Sequence, residues 1–163
     1  MRAAALLLFA AAIAGAHAPI LPALQGPLRA QGNRLLDANG ESVVLRGVTL
    51  PNLDGTAATY GVIRIRWNLN AVRLPVSVAK WKTGGTRYFD RASEAVRLAN
   101  AAELVAVLAA QENSGLPSDD TLAFWRECAA RFKDNPRVIF SLFHEPSAAG
   151  IPGAIDSQRT AND

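Results

Sequence analysis

The chain has one cysteine, one methionine and two histidines in 163 residues, and only three of its 17 basic residues are lysine. A lone Cys128 forms no intramolecular disulfide, which excludes a disulfide-stapled scaffold and leaves the redox compartment open. No Cys, His or acid cluster has metal-ligand spacing, so neither a metal centre nor a cofactor is expected. Charged residues make up 19% of the chain and are scattered, with Arg64 and Arg66 as the densest basic pair. Nucleic-acid binding needs a concentrated basic footprint interleaved with aromatics, and this surface has none. With 50% hydrophobic residues, 12 glycines and 9 prolines, the chain is neither disordered nor collagen-like. It has the composition of one globular domain, long enough to bury roughly 70% of its unfolded surface.

The first 18 residues have a different character. Met1-Arg2 supplies a positive start, and Ala3 to Ala14 is an uninterrupted apolar run with Leu6, Leu7, Leu8, Phe9 and Ile13. Ala14-Gly15-Ala16 and Ala16-His17-Ala18 both fit small-x-small cleavage, and the first avoids leaving Pro19 directly after the cut. The run is too short to span a bilayer stably and lacks the polar face of a buried amphipathic helix. A signal peptide over residues 1–18 is therefore expected, with a secreted or periplasmic product and no membrane attachment after cleavage. Loss of Arg2 takes the formal charge from +3 to +2.

Residues 19–33, with Pro19, Pro22, Gly26, Pro27 and Gly32, read as an irregular leader. Arg34 to Asp37 and Glu41 to Leu45 then flank Ala38-Asn39-Gly40, and Asn-Gly between apolar runs is a strong hairpin signal. Val43 to Leu50 is expected to continue as one long strand. Beyond it, strand-like and helix-like stretches alternate: a short helix over 57–67, a strand over 70–76, a helix over 88–102, a strand over 104–110, a helix capped by Ser118 and ended by Pro136, and a strand over 137–143. Asp119 and Asp120 suit the positive end of the last helix, and Leu122, Trp125, Cys128 and Phe132 line one of its faces. The pattern stops after Ser147, and residues 148–163 read as a polar tail.

Strands apolar on both faces and separated by helices indicate an α/β fold with a parallel sheet covered on both sides. In such sheets reactive groups gather at the carboxyl ends of the strands. Those ends carry Arg73, then Gln111-Glu112-Asn113, then His144-Glu145-Pro146. Period-2 alternation places Glu145 on the side of Ser141 and Phe143, and Pro146 biases Glu145 toward extended backbone.

Four of these segments together resemble glycoside hydrolase family 5, the cellulase family. They are Leu45-Arg46-Gly47-Val48 after the hairpin, Asn70 to Val76, Phe124-Trp125 with Arg131 to Pro136, and Val138 to Pro146. The likeness covers residues 34–147. It implies a partial (β/α)8 barrel of about four βα units after an N-terminal hairpin, since a complete barrel takes about 250 residues. It further implies hydrolysis of β-linked polysaccharide with retention, Glu145 as general acid/base, and Arg73 orienting and charge-stabilising the nucleophile.

The family's nucleophile is a glutamate on the seventh strand, and a retaining pair stands about 5–5.5 Å apart. The four βα units read here do not include that strand, so the isolated chain is expected to be inactive unless Glu112 or a partner chain supplies the second acid. His144 stands where the family has Asn at the sugar 2-hydroxyl, and the family's usual histidine after the third strand is replaced in Ala109-Ala110-Gln111-Glu112. Of the tryptophans, Trp125 sits on a helix core stripe, whereas Trp81 in the polar stretch Lys80 to Gly85 reads as a loop platform for a sugar ring, with His144 as the other substrate contact. The alternative is a non-catalytic half-barrel that binds carbohydrate or self-associates through its open sheet edges.

Overall fold

The computed structural model describes residues 20–111 and 117–143. The expected signal peptide, Glu112, His144, Glu145 and the tail lie outside the described residues.

Two sheets are formed. Strands β1 (Arg29–Gln31), β2 (Arg34–Leu36) and β3 (Ser42–Val43) make a small antiparallel sheet. Strands β4 (Gly47–Thr49), β5 (Ala71–Val76), β6 (Val105–Ala110) and β7 (Val138–Ser141) pair in that order, all parallel. Between them run α1 (Ala57–Gly61), continued by one π-helical turn over Val62–Arg66, then α2 (Val78–Gly84), α3 (Thr86–Ala101) and α4 (Asp119–Phe132). This is a partial α/β barrel with helices against one face of the parallel sheet.

The single strand expected over Val43–Leu50 is instead two short strands in different sheets, and Asn70 is the reason. Its Oδ1 accepts from the Arg46 N–H at 2.7 Å, and its Nδ2 donates to the Val44 carbonyl at 2.9 Å. The Arg46 carbonyl accepts from the N–H groups of Asn70 and Ala71. These bonds satisfy the backbone where it leaves one sheet for the other. Gly47 completes the crossing, because a Cβ there would sit 2.6 Å from the Ala71 carbonyl oxygen.

The hairpin around Asn39-Gly40 forms, but with a longer loop than a two-residue turn. Leu36 faces Ser42 across it, and the Asp37 carboxylate accepts from the N–H groups of Asn39 and Glu41. Gly40 alone of the pair takes positive φ, at 83°. The leader is not wholly irregular either: β1 pairs with β2 around a turn in which Gly32 has φ 59°.

Helix starts follow local chemistry. Ser118 accepts from the Thr121 N–H and Thr121 reciprocates at the Ser118 N–H, a capping box ahead of Asp119 and Asp120. Ser77 caps α2 by accepting from the Lys80 N–H, so the stretch holding Trp81 is helix rather than loop.

The core divides by strand alternation. Val72, Leu74 and Val76 of β5 and Ala106, Leu108 and Ala110 of β6 face the helices and pack with Phe89, Phe124, Cys128 and Phe132. Phe89 and Phe124 stack at 5.3 Å, and each fully buried side chain of this size contributes roughly 1.5–3 kcal/mol. On the opposite face Ala71 and Val105 are covered by Leu24 of the leader. The leader thus caps the amino-terminal end of the sheet, and among the described residues the carboxyl-terminal end is left open.

Candidate active site

Arg73 occupies the sheet face away from the helices. It lies opposite Thr49 of β4 and Val107 of β6, and Val107 in turn faces Ile139 of β7. Val107, Ile139 and Ser141 on this face are half-buried, as is Arg73. One row nearer the carboxyl ends, Pro75, Ala109 and Ser141 stand side by side. Arg73 therefore belongs to the sheet face away from the helices, three residues before the end of β5.

Strand β7 leads toward His144 and Glu145, and its exit is fixed from behind. The Trp125 Nε1–H donates to the Leu142 carbonyl at 2.8 Å, and the Trp125 ring meets Phe140 edge-on at 5.6 Å. At the other end of the strand the Asn100 amide donates to the Leu104 carbonyl and accepts from Asn135. An indole in α4 and a half-buried amide pair thus hold the two ends of β7.

Trp81 projects from α2 onto α4. Its ring lies edge-on to Phe124 at 5.7 Å, and its Nε1–H donates to the Glu127 carboxylate at 3.0 Å. The structure therefore places it as a tie between two helices, on the helix side of the sheet, whereas Arg73 is on the other face.

Around the open end the rim is built from capped turns that the sequence reading did not single out. The loop after β4 folds on an Asn52 side chain that accepts from the Asp54 N–H, and Asp54 pairs with Arg91 of α3. The Ser77 N–H donates to the Tyr88 hydroxyl at 2.6 Å. These groups enclose a cavity of about 190 Å³ beside Pro75, Val76 and Gln111. Ser77 directly after a strand was the available signal, since a capping residue there brings a helix down onto the strand tip.

Two buried groups have shifted acidities. Burial pushes the Cys128 thiol up to about 12, with Glu127 adding in the same direction, so it is a packing residue rather than a nucleophile. Burial, then the charge of Glu94, raises the pKa of Tyr60, whose hydroxyl has no hydrogen-bond partner among the described residues. Among the described residues no group of three His, Cys, Asp or Glu is placed to hold a metal ion.

Comparison with known proteins agrees with this arrangement. The sequence pattern of Cellulase (glycosyl hydrolase family 5) matches residues 36–161. Endoglucanase A of Butyrivibrio fibrisolvens is 26% identical over 154 residues, covering 85% of this chain and 35% of that protein. A β-glucanase from Saccharophagus degradans, solved in complex with cellotetraose, superposes with a TM-score of 0.73 at 25% identity, over 86% of this chain and 49% of that one. The catalytic domain of a Thermobifida fusca endoglucanase shares the fold, with a TM-score of 0.64 at 21% identity over 83% of this chain and 49% of its own. The chain thus spans about half the length of these solved structures and about a third of the curated relative. It belongs to glycosyl hydrolase family 5, the cellulase family.

Proposed function

We propose that this chain is the amino-terminal part of an exported, retaining β-glycosidase that cleaves polysaccharide in the manner of an endoglucanase. The observation that carries the reading is Arg73 on the concave face of a four-stranded parallel sheet, in a chain whose family pattern runs on past Glu145. In this reading Glu145 protonates the glycosidic oxygen and then deprotonates the attacking water. Arg73 orients and charge-stabilises a nucleophilic carboxylate contributed from a later strand. His144 meets the sugar 2-hydroxyl with an imidazole that donates or accepts one hydrogen bond. Trp81 is the second proposed substrate contact, through whatever face its packing on α4 leaves open. The apolar amino terminus supports export.

The test is hydrolysis of cellotetraose by the chain extended through its downstream coding sequence. A Glu145→Gln substitution is expected to lower turnover by about 10²–10⁴-fold, the range for a general acid/base. Turnover unchanged by the substitution would remove Glu145 from its role.

A second reading has its own observation. Strands β4 and β7 have no outer partner among the described residues, and Val107 and Ile139 stand half-buried on the concave face. A non-catalytic half-barrel that closes by self-association, or simply holds carbohydrate, would use these edges. A discrete dimer in sedimentation favours this reading, and a folded monomer without sugar binding counts against it.

A further inference from the structure

A second groove adjoins the rim cavity. It holds about 410 Å³ and lies between α2 and α3, lined by Lys80, Thr83, Arg87 and Arg91 over the Tyr88 ring. Lys80, Tyr88 and Arg91 also line the rim cavity, so the groove adjoins the cavity at the tip of β5 and extends outward across the helices. Tyr88, whose hydroxyl accepts from the Ser77 N–H, lines both.

The charge in this channel is one-sided. Arg87 and Arg91 stand one turn apart on α3, and Lys80 faces them from α2. Like charges at this helical spacing are destabilising. Asp54 is the only carboxylate among the described lining residues, and it is engaged by Arg91. Neither Lys80 nor Arg87 forms an ion pair among the described residues, although neighbouring Lys82 is neutralised by Asp120. Two exposed cations without an ion-pair partner among the described residues thus lie along a trough that starts at the tip of β5.

We propose that this trough is an outlying subsite for carboxylated sugar units, so that the polysaccharide taken by the protein carries uronic acid residues. The inference rests on the glycosidase reading for its direction: a chain held at the strand tips runs outward over Tyr88 and sets its carboxylates against Lys80 and Arg87. Exposed charge pairs are individually weak, and two together amount to about fivefold in affinity at low salt.

The experiment compares binding of two probes to the 163-residue chain: neutral cellotetraose, and the tetramer of β-1,4-linked glucuronate, which has the same backbone with carboxylates. The glucuronate tetramer is expected to bind about fivefold more tightly at low salt, with the preference lost in the Lys80→Gln, Arg87→Gln double variant and in 0.5 M salt. Both side chains are exposed, so the variant retains the fold. Equal affinity for the two probes, a preference that survives the double substitution, or equally tight binding of a tetraglutamate peptide would overturn the proposal. Binding of the glucuronate tetramer with the expected variant and salt dependence, but none of cellotetraose, would leave the subsite standing and remove the neutral-glucan reading instead.

Discussion

The Trp125 indole N–H donates to the Leu142 carbonyl at 2.8 Å, so helix α4 grips the chain three residues before Glu145. Replacement by Phe keeps an aromatic ring against Phe140 but removes the only polar atom of the side chain. The Leu142 carbonyl then loses its donor, and a typical net hydrogen bond is worth about 1 kcal/mol. Trp125→Phe is expected to lower unfolding stability by about 1–2 kcal/mol in urea denaturation. A change below a few tenths would show that the strand exit is held by packing alone.

Asn70 invites a sharper perturbation. It is almost fully buried and satisfies backbone groups at Val44 and Arg46 where the chain changes sheet. Asn70→Ala leaves both unpaired and is expected to cost about 2–4 kcal/mol, more than the loss of a single exposed hydrogen bond. Asn70→Asp keeps the acceptor for Arg46 but turns the donor to Val44 into a second acceptor, and it is expected to destabilise at neutral pH by a comparable amount. An unchanged urea midpoint for either variant would contradict the junction described here.

Gly47 admits no side chain for a reason of space rather than of φ. A Cβ would approach the Ala71 carbonyl oxygen to 2.6 Å across the β4–β5 pairing. Gly47→Ala is expected to cost about 1–3 kcal/mol and to loosen β4, with faster amide exchange at Val48 and Thr49 as the local readout.

Cys128 links stability to alkaline pH. Burial pushes the pKa of its thiol in the folded state up to about 12, from an ordinary value of about 9. The folded state therefore holds the proton more tightly than the unfolded chain, and stability falls as pH rises through the window from about 9 to 12. Tyr60 is shifted in the same direction. Cys128→Ala is expected to flatten part of that slope, and the native thiol to react with a disulfide reagent at pH 8 only upon unfolding. Rapid reaction of the folded protein would contradict its burial.

The parallel sheet was legible because its strands are apolar on both faces and its helices carry clear caps and stripes, as at Ser118 and along Trp125, Cys128 and Phe132; Leu122, expected on that stripe, is exposed, and Phe124 takes the buried place instead. The break at Val44 to Arg46 was not legible, because it depends on Asn70, some 25 residues away, supplying hydrogen bonds that local propensity does not report. The loop reading of the stretch around Trp81 failed for a related reason. Lys80, Lys82, Thr83 and Gly84 look like loop composition, yet Ser77 caps a helix there and Phe124 and Glu127 give the indole a partner from a distant segment. Arg73 was legible from strand alternation together with family likeness, whereas the Lys80–Arg87–Arg91 channel arises only when α2 and α3 come together.

The coding sequence beyond Asp163 tests the central claim most directly. The proposed reading predicts further βα units with a glutamate at the tip of the seventh strand, placed to pair with Glu145 at about 5–5.5 Å. Downstream sequence without βα periodicity, or with those units but no strand-end carboxylate, would contradict a retaining glycosidase and leave the half-barrel as a binding or self-associating protein.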